Sequence, residues 1–232
     1  MIKTFLSVFV CLVACYSTCC QEKIRVPAGA DFSKALNSFG IYRFPAFLNS
    51  SIFFRNGTQS SGKLNYNISL GEIQFINDPH DTMSIANPEE LEFVRIDTVL
   101  YYYDKNYLEV IQGSSDEWKL ARWQQIKIDY EQLGAYDNPA PGVDVKSYKN
   151  YTSPMGSNVY DLTANQNRII TIEKKYFLID KFGKAFPANK SNFGFCFPVN
   201  KSATLGYLKE HNIHFDQEGD LRQLFAFCTT IK

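Results

Sequence analysis

Histidine and tryptophan are scarce in this chain, at three and two among 232 residues, and neither sign of charge prevails, with 24 Lys plus Arg against 24 Asp plus Glu. So few histidines leave little that titrates near neutral pH and few candidates for general acid–base work. The charge balance argues against a binder driven by phosphate neutralisation, so no nucleic-acid partner is expected. Beyond the first 20 residues no apolar run approaches the ~20 residues of a membrane-spanning helix. The sequence also lacks Gly-x-Ser-x-Gly, Gly-x-Gly-x-x-Gly and Gly-x4-Gly-Lys-Ser/Thr. Their absence removes the signatures of a serine-hydrolase elbow, a dinucleotide fold and a phosphate loop. What the chain does have is 19 Phe and 14 Tyr in a composition that is 45% hydrophobic. That is too apolar for disorder, and it is the residue usage of strands.

The N-terminus has the layout of a secretory signal. Met1-Ile2-Lys3 is followed by an apolar run from Thr4 to Ala14, too short to remain as a bilayer span. Two processing routes are open. Leu12-Val13-Ala14-Cys15 matches a lipobox, with Cys15 as the lipidated first residue after a signal of residues 1–14; alternatively, signal peptidase cuts after Cys20. Lipidation would leave Cys19 and Cys20 as exposed thiols in an oxidising compartment, whereas cleavage after Cys20 leaves only Cys196 and Cys228. The second route is favoured on that ground. Both predict an exported protein of the periplasm or cell envelope, touching the membrane only through an N-terminal lipid if the first holds.

After an N-terminal segment, 21–50, the pattern over 51–182 is strand, turn, strand. Ile52-Phe53-Phe54-Arg55 runs into Asn56-Gly57, a hairpin signal because both residues tolerate positive φ. Leu64, Tyr66, Ile68 and Leu70 alternate onto one face. Leu91 to Tyr103 is the longest β-forming run, and Tyr107–Ile111, Trp118–Tyr130 and Arg168–Ile179 follow. The fold class expected is α+β and mainly β: an antiparallel meander, as a sandwich or a partly closed barrel, with two or three short C-terminal helices. The stretch 134–157, rich in Gly and Pro, breaks the strand rhythm. It carries Tyr136, Tyr148 and Tyr151, candidates for partner contact if it is more than a solvated linker.

Residues 183–232 change character. Asn189–Phe197 predicts a short helix stopped by Pro198, Ser202 a cap for Ala203–His211, and Asp216 a cap for a last helix. In that last helix Leu221, Leu224, Phe225 and Cys228 share a face. Cys196 and Cys228 both fall on apolar helix faces and are either two buried thiols or a disulfide closing a loop of about 32 residues.

No catalytic, cofactor or metal residue is assigned. His211 and His214 lie three apart, but Asn212 ends the helix between them, and a structural zinc site needs four ligands. Trp118 and Trp123 are five apart and face opposite sides of a strand, and Tyr101-Tyr102-Tyr103 divides its rings in the same way. A carboxylate pair for glycoside cleavage depends on a distance that sequence does not contain.

Tyr42-Arg43-Phe44-Pro45-Ala46-Phe47, Lys63-Leu64-Asn65-Tyr66-Asn67-Ile68 and Gly71-Glu72-Ile73-Gln74-Phe75-Ile76, with the tail Tyr207–Phe215 and Asp220-Leu221, resemble a group of uncharacterised exported proteins of Bacteroidetes-type bacteria. The resemblance implies an envelope location and a β-meander with C-terminal helices, and it brings no activity. Under that origin Asp81-Thr82-Met83 and Asp97-Thr98-Val99 resemble O-glycosylation sites, at Thr82 and Thr98. The triplets at Asn49, Asn56, Asn67, Asn150, Asn189 and Asn200 are explained by Asn in turns. The function expected is non-enzymatic protein interaction or scaffolding in the envelope. The alternative is a glycan or small-ligand binding module.

Overall fold

The computed structural model describes residues 23–77, 81–113, 118–131, 167–198 and 200–230. The N-terminal segment with Cys15, expected to be a signal, the stretch 134–157 with Tyr136, Tyr148 and Tyr151, and residues 159–162, where a strand is expected, lie outside them. Eleven strands are described: β1 (Lys23–Val26), β2 (Leu48–Phe54), β3 (Gln59–Asn67), β4 (Glu72–Ile76), β5 (Thr82–Ser84), β6 (Leu91–Ile96), β7 (Val99–Asp104), β8 (Asn106–Gln112), β9 (Lys119–Tyr130), β10 (Arg168–Ile179) and β11 (Ala185–Pro187). Four helices join them: α1 (Phe32–Phe39), α2 (Lys190–Cys196), α3 (Lys201–Glu210) and α4 (Glu218–Thr230). None of these is long and apolar enough to cross a membrane.

All the strands pair antiparallel in one sheet, ordered β1-β10-β9-β8-β7-β6-β2-β3-β4-β5, with β11 on β10. The chain meanders from β6 to β10 and again from β2 to β5, and the two meanders meet where β6 returns beside β2. The sheet curls without closing into a barrel, and the expectation of a mainly β, antiparallel fold with helices towards the C-terminus holds. The curl is fixed where the end of β3 meets the free side of β9. Ile126 N–H donates to the Ile68 carbonyl at 3.0 Å, and the Tyr66 hydroxyl donates to the Gln124 carbonyl at 2.8 Å.

Turn chemistry sets the register. The β2–β3 hairpin turns at Asn56-Gly57, where Gly57 has φ +83° and Asn56 Oδ1 accepts from Thr58 N–H at 2.9 Å. The run Leu91–Tyr103 is two strands rather than one: Asp97 adopts φ 53° and the chain reverses at Asp97-Thr98, pairing Ile96 with Val99. β-branched residues on both sides of the turn hide it in the sequence. Residues 21–50 supply α1 and the edge strand β1 to the same sheet. Asp31 caps α1 by accepting Lys34 N–H at 3.0 Å, and Gly40 ends it at φ 90°. At α3 the cap position falls to Asn200 rather than Ser202, and the Asn200 amide donates to the Cys228 carbonyl at 3.1 Å, tying α3 to α4.

Two apolar clusters share the concave face. One gathers Leu64, Tyr66, Ile73, Val94, Ile96, Tyr101, Tyr107, Ile126 and Ile170, with Phe32 and Phe39 of α1. The other joins Leu120, Tyr176 and Leu178 to Phe193, Cys196, Leu221, Leu224, Phe225 and Cys228 of the C-terminal helices. Burying each large side chain of α4 is worth roughly 1.5–3 kcal/mol, which holds a 13-residue helix too short to stand alone.

Candidate functional site

Between the two clusters lies a layer of charge. Arg122 on β9 and Glu109 on β8 are register partners, and Arg122 Nη2 donates to Glu109 Oε1 at 2.7 Å. Arg43, from the segment before β2, reaches the same carboxylate with Nε and Nη2 at 3.0 and 3.1 Å. That bond lifts the Arg43 guanidinium further above its ordinary value. The Tyr101 hydroxyl and the Gln124 amide also point at Glu109 Oε2, at 3.3 and 3.5 Å. Arg122 Nη1 continues to Glu218 of α4 at 2.9 Å, and Glu218 accepts Arg222 Nε at 2.9 Å. Arg222 in turn donates to the Ile111 carbonyl. Burial pushes the Glu218 carboxyl up, but the Arg222 hydrogen bond and the two guanidinium charges outweigh it and hold the carboxyl below its ordinary value. Glu109 is the only buried carboxylate among the described residues. Five donor atoms crowd oxygens that offer about four lone-pair sites, so it has none left for a substrate. This network joins α4 to the sheet and to the Arg43 segment.

The opposite, outer face carries a different arrangement. Asn49, Ser51 and Phe53 of β2 and Phe93 and Arg95 of β6 alternate onto it, away from Ile52, Val94 and Ile96. Phe53 and Phe93 are register partners and stack at 4.3 Å, and Tyr102 of β7 follows at 5.9 Å from Phe93. Trp123 of β9 shares a small outer cluster with Tyr102, Leu108, Ala121 and Ile179. A cation sits over three of these rings: Arg95 over Phe53 at 5.3 Å, Lys119 over Tyr102 at 5.1 Å and Lys175 over Trp123 at 5.0 Å. Beside Phe53 the face sinks into an open hollow of about 490 Å³, lined by Asn49, Ser51, Ser61, Gly62, Lys63, Arg95 and Asp97 among others. The hollow exists because three neighbouring strands place small or polar residues side by side: Ser61, Ser51 and Arg95 in one row, and Lys63 beside Asn49 in the next.

No protein-family model matches this chain. Comparison with curated proteins and with solved structures returns no match either. The site is therefore argued from its own geometry.

The remaining expected residues fall as follows. Thr82 and Thr98 are both exposed, the first at the start of edge strand β5 and the second in the β6–β7 turn rather than within a strand. Cys196 and Cys228 are buried in one cluster as free thiols, not a bridged pair. The Cys228 sulfur lies 3.4 Å from the Thr204 hydroxyl, so its nearest polar partner is that hydroxyl. Burial, with Asp180 adding to it, pushes the Cys196 thiol up to about 12. His211 stacks on Tyr207 at 3.9 Å while His214 meets Asp220 at 3.2 Å, so the two imidazoles have separate partners. Among the described residues no His, Cys, Asp and Glu converge as a metal site. Trp118 packs into the helical cluster and Trp123 onto the outer face, divided as the spacing requires. Asn67 is buried, with its side-chain oxygen accepting from Ser69 and Leu70, and Asn189 caps α2, so these triplets serve turns and caps.

The hollow escaped the sequence reading. Its signal was there, in polar residues at alternate positions of 49–53, 59–63 and 93–97. Bringing them together requires that β6 return beside β2, a pairing across some forty residues that no local pattern encodes.

Proposed function

We propose that this chain is a non-enzymatic exported cell-envelope protein, of the kind its strand and tail motifs resemble, acting in protein interaction or scaffolding. The observation that carries the proposal is the outer-face row Phe53–Phe93–Tyr102, with Arg95 and Lys119 over its first and last rings. Aromatic and Arg side chains at a surface are the residue types that dominate contact energy, because rigid rings lose little entropy and guanidinium groups bond directionally. The row is carried on paired strands inside the sheet, so the surface is presented preformed.

A charge-reversed variant, Arg95→Glu with Lys119→Glu, used as bait on envelope extracts beside the parent chain and a 134–157 deletion, tests this reading. Loss of partner recovery in the charge-reversed bait but not in the deletion is the expected result. Unchanged recovery in the charge-reversed bait contradicts it, and loss confined to the deletion assigns the contact to Tyr136, Tyr148 and Tyr151 instead. A second reading, a glycan or small-ligand module, is favoured by one specific feature, the polar hollow next to Arg95. Export, with lipidation at Cys15 or cleavage after Cys20, and O-linked sugar at Thr82 and Thr98 belong to the same proposal, and the intact mass of the mature protein tests all of them.

A further inference from the structure

We infer that the hollow on the outer face of β2, β3 and β6 is a binding site for a carboxylate-bearing saccharide, with Arg95 and Lys63 holding the acid group and Asn49, Ser51 and Ser61 the sugar hydroxyls. The inference rests on the second reading above and gives it a ligand class.

Four observations carry it. First, among the described residues the Arg95 guanidinium and the Lys63 ammonium have no carboxylate partner, although Asp97 lies in the same hollow. Two unpaired cations beside one acid leave the hollow net positive, which suits an anion. Second, Arg95 is braced over the Phe53 ring, itself stacked on Phe93. A guanidinium held by its flat face keeps its N–H edge free, and that edge matches a carboxylate in a two-pronged pair. Third, the side chains of Asn49, Ser51 and Ser61 make no hydrogen bond among the described residues. An amide and two hydroxyls each donate and accept, which is what a ring of sugar hydroxyls requires. Between them Gly62 adds no side chain, and a Cβ placed on it would meet nothing within 4 Å.

The fourth observation chooses between ligand classes. β2 and β6 are paired on both sides around the hollow, while β3 pairs β4 only over Leu64–Asn67 and leaves an open edge before it. A peptide strand added at that open edge would lie in the plane of the sheet and extend it, whereas the hollow lies on the face, where recognition falls to side chains. A volume of about 490 Å³ lies within the range of small-ligand clefts.

Calorimetric titration of the full chain with tri-galacturonate, its methyl ester and a short poly-glutamate tests the inference. The acid trisaccharide is expected to bind while the ester and the peptide do not. Arg95→Gln and Lys63→Gln should each weaken that binding about tenfold, the scale of one lost charge-assisted hydrogen bond. Both positions are exposed, so thermal stability should stay unchanged, and Ser51→Ala, which removes only a hydroxyl, should weaken binding without altering charge. Equal binding of poly-glutamate would overturn the saccharide assignment in favour of charge alone. No binding of tri-galacturonate by a chain that still captures its envelope partner through Arg95 and Lys119 would overturn this inference and leave the contact-surface reading standing.

Discussion

At the scale of single residues, Glu109 and Tyr107 make opposite predictions from similar burial. Glu109 bonds two arginines in the layer between the apolar clusters, and removing it leaves Arg122 with Glu218 alone and takes the acceptor from Arg43, Tyr101 and Gln124. Glu109→Ala is therefore expected to cost about 3–5 kcal/mol, read from chemical denaturation. A loss below 1 kcal/mol would show that water reaches the network. Tyr107 packs against Tyr66 and Tyr103, yet its hydroxyl has no hydrogen-bond partner among the described residues. Tyr107→Phe keeps the ring and removes the unsatisfied oxygen, so it should be neutral or stabilising by up to about 1 kcal/mol. Neither role was visible in the sequence, where Glu109 is one of 24 acids and Tyr107 one of 14 tyrosines.

Among the elements, the hairpins show where local chemistry is decisive. Lys105 turns β7 into β8 at φ 62°, a conformation that costs a side-chain-bearing residue about 1 kcal/mol. Lys105→Gly should relieve it and raise the unfolding temperature by a few degrees, a result that a scan of the exposed variant reads directly. The Asn56-Gly57 hairpin was legible because its residues announce positive φ, whereas Asp97-Thr98 was not, because Ile96 and Val99 extend the strand signal across it. The last helix was legible from Leu221, Leu224, Phe225 and Cys228 on one face, all of them buried. Its link to the sheet was not, since Glu218 and Arg222 read as an ordinary pair along a helix until Arg122 and the Ile111 carbonyl lie opposite them.

For the whole molecule, the aromatic interior sets the response to pH. Burial raises the hydroxyls of Tyr66, Tyr101 and Tyr107 well above their ordinary value of 10.0, with Glu109 adding to the first two. The folded chain thus keeps protons that the unfolded chain loses above pH 10, and stability that is whole below that pH declines as pH rises through it. Cys196 acts in the same sense from its ordinary 9.0 upward. Denaturation midpoints should be level from pH 7 to about 8.5 and fall from 9 upward. Replacing Tyr66 and Tyr101 by Phe should flatten the fall. The fold was legible at this scale because alternation and turns specify an antiparallel sheet. The outer face was not, since its ligand-sized hollow depends on which meander edge meets which.

Lysine acetylation footprinting of the chain, alone and with the partner that the parent bait recovers, tests the proposed outer-face contact surface most directly. Lys63 and Lys119, in the hollow and over Tyr102, should lose reactivity on binding, while Lys34 on α1 and Lys209 on α3 keep theirs. Protection of Lys34 or Lys209 with Lys63 and Lys119 still reactive would contradict the account.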